Sequence, residues 1–97
     1  MGYKLEYSKQ SDKDARFLER AGFDEKAKEL LKTMKRNPYE PPVEKLTGDL
    51  KGCYSRRINR KHRIVYDILP NDADLLDTDG KPYQGIVYVL RMWSHYE

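Results

Sequence analysis

The sequence predicts an α+β fold, with helices gathered on one side of an antiparallel sheet. Three observations carry that expectation. One short segment near the start alternates apolar and polar residues, and two consecutive segments repeat their apolar residues at helical spacing. The second half of the chain is a series of segments rich in β-branched and aromatic residues.

The first segment is Tyr3 to Tyr7, YKLEY, whose alternation reads as a half-buried strand. Ser8 or Ser11 then caps a helix running to about Ala21, with Ala15 and Leu18 facing inward and Phe17 as a further inward candidate. Gly22 ends it. Asp24 is expected to cap a second helix reaching about Arg36, where Ala27, Leu30, Leu31 and Met34 follow the i, i+3, i+4, i+7 pattern of a buried stripe. Lys28, Lys32 and Lys35 lie between them and face solvent or a partner. NPYEPPVEKLTGDLKG holds three prolines and two glycines, so it reads as a loop with at most a short strand near Val43 to Leu46. Strands are expected near Cys53 to Ile58 and His62 to Leu69, then an acidic connection, PNDADLLDTDGKPYQG, and a last strand in IVYVLRMWSH.

The hairpin between Cys53 and Leu69 has two candidate registers. A three-residue loop, Asn59 to Lys61, sets Arg57 opposite Arg63, on one face with Ser55, Val65 and Asp67, and buries Ile64, Tyr66 and Ile68 opposite Tyr54, Arg56 and Ile58. A two-residue loop, Arg60-Lys61, pairs Ile58 with Arg63 and places Arg57 among apolar residues. The first is preferred because it collects the cations where they share a ligand; two facing arginines repel unless an anion sits between them.

Composition narrows the class. The 97 residues fit one domain, residues 1–97, and one modest core. Hydrophobic residues are 38% and charged residues 36%, polar for a globular chain, yet eight tyrosines, Trp93, Phe17 and Phe23 are enough for a fold rather than disorder. Cys53 is the single cysteine, which excludes an internal disulfide and a multi-cysteine metal site. No apolar run approaches the ~20 residues of a membrane span, and Glu6 stands where a myristoylation motif needs Ser or Thr. The expectation is a cytoplasmic chain with no membrane association and no cofactor. The aspartates before Gly80 do not make a calcium loop, since counting from Gly80 puts Leu75 at the first ligand position and Ile86 at the last.

The formal net charge of +3 conceals an uneven distribution. Residues 26–63 hold twelve Lys and Arg against four Asp and Glu, whereas residues 64–97 hold two against six. A basic middle third is the electrostatic footprint of a polyanion-binding protein, unless it is simply a solvated helix face and a charged turn. Five cations, Arg56, Arg57, Arg60, Lys61 and Arg63, fall on one hairpin with His62 among them, more than edge protection requires. Metal-free RNA cleavage needs a base for the ribose 2′-OH, an acid for the departing 5′-oxygen and cationic donors for the phosphorane-like transition state. Glu44, Arg57, Arg63, His95 and Tyr96 offer a candidate for each role. Taken singly, Glu44 is a surface carboxylate, His62 a solvent-facing ring near a turn and His95 a chain-end residue, so the residues alone reach no further than a basic α+β domain that binds RNA or cuts it.

The stretch NPYEPPVEKLTGDLKGCYSRRINRKHRIVYDI, residues 37–68, closed by SHYE, resembles the YoeB/Txe toxins of bacterial type II toxin–antitoxin pairs, within the RelE/ParE-like superfamily. Pro-x-Glu, Leu-x-Gly, Tyr-Ser-Arg-Arg-Ile, His-Arg-Ile-Val-Tyr and a closing His-Tyr carry the resemblance. It implies a RelE-like, microbial-RNase-like fold and a metal-independent endoribonuclease that cuts mRNA in the ribosomal A site and stops translation. In its terms Glu44 is the general base, Arg63 stabilises the scissile phosphate, His95 is the general acid and Tyr96 orients substrate. Arg56, Arg57, Arg60 and Lys61 are then expected to bind phosphate or RNA. The implied partners are a cognate antitoxin with an acidic C-terminal segment, the 70S ribosome with mRNA, and a second copy of the chain in a homodimer. Two features depart from the pattern: Glu97 after the His-Tyr pair, and the length and acidity of residues 70–85. Two other readings share the fold, a ParE-like inhibitor of DNA gyrase and a decayed module that binds only RNA or antitoxin.

Overall fold

The computed structural model describes residues 2–92. In chain order it has strand β1 (Tyr3–Tyr7), helix α1 (Lys9–Ala21), helix α2 (Asp24–Arg36), a short strand β2 (Glu44–Lys45), a 3₁₀ turn (Gly48–Leu50), and strands β3 (Tyr54–Arg57), β4 (Arg63–Leu69) and β5 (Gly85–Arg91). The strands form one sheet in the order β1-β5-β4-β3-β2, antiparallel except where β1 runs parallel to β5. The predicted α+β class and the order of its elements are those observed.

Local chemistry explains the helix ends. Ser8, not Ser11, caps α1: its Oγ accepts the Ser11 N–H at 3.0 Å and donates to the Leu90 carbonyl at 2.8 Å, which ties the start of the helix to β5. At the other end Gly22 takes a left-handed φ of 82°, and two bonds close the helix, Gly22 N–H to Glu19 O and Phe23 N–H to Leu18 O. Asp24 is not the cap of α2 but its first residue. The cap position is Phe23, which makes no side-chain bond, and the Asp24 carboxylate complements the helix dipole instead.

Both helices turn Leu18, Ala27 and Met34 onto Ile64, Tyr66, Val87 and Val89 of the sheet, and these residues form the core. Leu30 and Leu31 pack against it half-buried. Phe17 does not face inward; it is exposed, and the Arg20 guanidinium lies 5.4 Å from its ring centre. A position one residue from the Ala15–Leu18 stripe lands about 100° away around the helix, which is enough to leave the core. Among the described residues no helix is long and apolar enough to cross a membrane. The acidic connection is a hairpin insertion pinned by Asn71, whose side chain bonds to Leu75 and Tyr83, and by a turn at Asp77.

The β3–β4 hairpin adopts the register with Arg57 opposite Arg63 and Ser55 opposite Val65. Ile58 N–H donates to the His62 carbonyl at 2.8 Å, closing a three-residue loop in which Asn59 Oδ1 accepts the amides of Lys61 and His62. His62 is not the solvent-facing ring expected near a turn. It is buried and packs against Phe23 with ring centres 5.8 Å apart.

Candidate active site on the open sheet face

The site begins with a register. β2 and β3 pair Glu44 with Ser55, and β3 and β4 pair Ser55 with Val65 and Arg57 with Arg63. Directly paired residues point to the same face, as do residues two apart along a strand. Glu44, Ser55, Arg57 and Arg63 therefore project together, away from the core face that carries Arg56, Ile64 and Tyr66. The loop from Asn37 to Val43 brings the chain from the end of α2 to the far edge of the sheet, so that Glu44 arrives beside two arginines 13 and 19 residues later in sequence.

The Glu44 carboxylate spans both guanidiniums. Its Oε2 lies 3.2 Å from Arg63 Nη1, a hydrogen bond, and its Oε1 lies 3.7 Å from Arg57 Nε. The carboxylate and Arg57 are more than half exposed, whereas the Arg63 side chain is 22% exposed. Exposed pairs of this kind add only ~0–1 kcal/mol to stability, so the cluster is no strong brace for the fold. Its value is electrostatic, because two cations sharing one anion retain one positive charge for a ligand. Ser55 lies at the centre, buried, and its Oγ has no hydrogen-bond partner among the described residues.

Arg60 and Lys61 sit exposed at the tip of the hairpin, beyond Arg57 and Arg63. Arg56 corrects the expectation that all five hairpin cations face a polyanion. It is 3% exposed on the core face. Its Nε donates to Tyr66 Oη at 3.1 Å, Nη1 to the Pro42 carbonyl at 3.3 Å, and Nη2 to the carbonyls of Pro38 and Glu40. The period-2 alternation that exposes Arg57 necessarily turns its neighbour inward. His95 and Tyr96 lie outside the described residues.

A second polar cluster, not anticipated from sequence, holds the end of β5. Asp14 of α1 is 1% exposed and accepts from Arg91 Nε at 2.8 Å, from the Met92 N–H at 3.1 Å and from Gln10 Nε2 at 3.1 Å. A signal was present, since Ser11, Asp14 and Leu18 repeat at i, i+3, i+7 and all three are buried. A carboxylate in a core stripe calls for a partner. β5 runs antiparallel to β4 with Arg91 opposite Val65, so the chain at this clamp is heading toward the Arg63 end of β4.

Comparison with known proteins identifies the family and the fold. Residues 6–96 match the family of YoeB-like toxins of bacterial type II toxin–antitoxin systems. A curated relative, toxin YoeB of Synechocystis sp., is 45% identical over 49 residues, which are 48% of this chain and 55% of that relative. The match thus spans little more than half the relative's length. Among solved structures, a YoeB/ParE toxin from Agrobacterium tumefaciens superposes with a TM-score of 0.73 at 30% identity, covering 96% of this chain and 99% of the other. YoeB of Staphylococcus aureus, at 29% identity and covering 97% and 98% of the two chains, is similar both in its complex with YefM (TM-score 0.68) and as a dimer (TM-score 0.70). This chain belongs to the YoeB family of toxins from bacterial type II toxin–antitoxin systems.

Proposed function

We propose that this toxin is a cytoplasmic, metal-independent endoribonuclease that cleaves mRNA in the A site of the 70S ribosome and thereby inhibits translation. The observation that carries the reading is the Glu44 carboxylate held between the facing guanidiniums of Arg57 and Arg63 on the sheet face opposite Arg56, Ile64 and Tyr66.

The chemistry follows from these groups. A scissile phosphate that engages Arg63 and Arg57 competes with Glu44 for both cations and frees its carboxylate. Glu44 then takes the proton of the 2′-OH, and the 2′-oxygen attacks phosphorus. Arg63 and Arg57 stabilise the charge that builds on the equatorial oxygens. The bond from phosphorus to the 5′-oxygen breaks, leaving a 2′,3′-cyclic phosphate, and the 5′-oxygen takes a proton from His95. Tyr96 orients the substrate, and Arg60 and Lys61 at the hairpin tip hold neighbouring RNA phosphates. A carboxylate is a weak general base, so the reaction depends on imposed substrate geometry, which the ribosome supplies.

The complex of the S. aureus relative with YefM supports a cognate antitoxin as the inhibitory partner, and its dimer supports a homodimer of this toxin. The exposed Lys28, Lys32 and Lys35 of α2 would receive an acidic antitoxin segment. Residues 1–97 act as one domain in this reading.

Primer extension on mRNA threaded through purified ribosomes tests it, comparing wild type with His95→Ala. A new stop within the A-site codon, lost in the variant, is the expected result. Intact message with wild-type protein that still binds ribosomes would overturn the enzyme and leave a binding module.

A further inference from the structure

Arg56 and Arg57 are adjacent in sequence and opposite in surroundings. Arg57 is exposed beside Glu44; Arg56 is buried beneath the loop that leads to Glu44. The Arg56 guanidinium is spent on neutral oxygens: three main-chain carbonyls, of Pro38, Glu40 and Pro42, and the Tyr66 hydroxyl. The one carboxylate within that loop, Glu40, is engaged elsewhere, with Arg36 Nη2 at 2.9 and 3.1 Å. Tyr66 completes the arrangement by donating to the Pro38 carbonyl at 2.6 Å. A planar cation forking onto the carbonyls of alternate residues reads backbone shape, which a point charge such as lysine cannot do.

That loop needs an external anchor. Pro38, Pro41 and Pro42 have no N–H to give to a ladder, and past them β2 contributes the pairs Glu44 to Ser55 and Lys45 to Tyr54, followed by one bond from the Leu46 N–H to the Cys53 carbonyl at 2.9 Å. A two-residue edge strand specifies its register weakly. The last carbonyl gripped by Arg56, that of Pro42, is two residues before Glu44.

We infer that Arg56 and Tyr66 are positioning residues for Glu44: they fix the Pro38–Pro42 main chain from the core side and so set where the carboxylate stands between Arg57 and Arg63. The catalytic consequence rests on the endoribonuclease reading; the anchoring itself does not. It also explains the two arginines of the Ser-Arg-Arg sequence, since one side chain holds the base in place while the other faces the substrate.

The test uses Tyr66→Phe, which deletes one oxygen, with Arg56→Lys as a second variant. The expected result is a folded Tyr66→Phe with a single cooperative transition and a midpoint lowered by about 4–8 °C or somewhat more, since Arg56 Nε loses a buried acceptor, together with amide hydrogen exchange faster than wild type at Tyr39, Glu40, Val43 and Glu44. In single-turnover cleavage of ribosome-bound mRNA the maximal rate should fall about 10²-fold, as for a reacting group misplaced by ~1 Å, with half-saturation unchanged. In a Glu44→Gln background the same change should add no further loss, whereas a merely structural role would multiply with it. Exchange at wild-type rates in that loop, or multiplicative rate losses in the double variant, would overturn the inference. An inactive wild type would sink the enzyme reading instead, and the exchange measurement would still decide the anchoring.

Discussion

Glu44 and Arg63, 19 residues apart in sequence, meet at 3.2 Å across β3, with Arg57 completing the group at 3.7 Å from the same carboxylate. The two arginines differ in what they can do. Arg63 is mostly enclosed and hydrogen-bonded, so its guanidinium is preorganised, whereas Arg57 is more than half exposed and farther away. Arg63→Ala is expected to lower single-turnover cleavage by about 10²–10³-fold, as for removal of one transition-state donor. Arg57→Ala should cost roughly 10-fold, or about 1.4 kcal/mol. Equal losses for the two variants would contradict this ranking.

His95→Ala is expected to reduce cleavage by about 10²–10⁴-fold, the usual contribution of a general acid. Ribosome binding, followed by co-sedimentation, should persist. A variant that cuts at the wild-type rate would remove His95 from the mechanism.

Asp14 is the acceptor for the Met92 N–H and the Arg91 guanidinium. Asp14→Ala leaves the Met92 amide buried without that acceptor, at a cost of about 1–3 kcal/mol. For a domain of this size each kcal/mol lowers the melting midpoint by ~4–8 °C, so calorimetry should resolve it. An unchanged midpoint would show that the clamp adds nothing to stability.

Tyr66 makes stability sensitive to alkali. Burial holds its phenol above the ordinary value, and the nearby Arg56 only partly offsets this. A group whose folded pKa is raised contributes stability that is complete below its unfolded pKa, ~10, and is lost as the pH climbs through the folded value. Ionisation would also remove the proton that Tyr66 donates to Pro38. Denaturant unfolding between about pH 8 and 11 should therefore show a steeper decline for wild type than for Tyr66→Phe. Parallel curves would refute the assignment.

Much of the fold was legible because it depends on local periodicity. YKLEY alternates and is a strand; Ala27 and Met34 recur at helical spacing and are buried; Gly22 stops α1 at a left-handed turn. The hairpin register was legible too, because only one loop length brings Arg57 and Arg63 onto one face. The misreadings are side-chain environments. Phe17 is exposed, His62 is buried against Phe23, and Arg56 is gripped by the Pro38–Pro42 carbonyls. Phe17 lies off the buried stripe of its own helix, whereas the surroundings of His62 and Arg56 depend on segments from elsewhere in the chain, and residue type does not report which segment arrives.

The sequence by itself determined the α+β class, the order of the elements, the family and the cationic character of the hairpin, since each of these depends on short-range pattern and composition. Tertiary structure alone decided that Glu44 stands between Arg57 and Arg63, that the Pro38–Pro42 carbonyls take up Arg56, and that Asp14 holds the end of β5. These relationships are set by strand pairing and loop anchoring over 13 to 77 residues of separation, where geometry comes from the packed whole. In β3 the alternation of a single strand sends one arginine to the core and the next to the site.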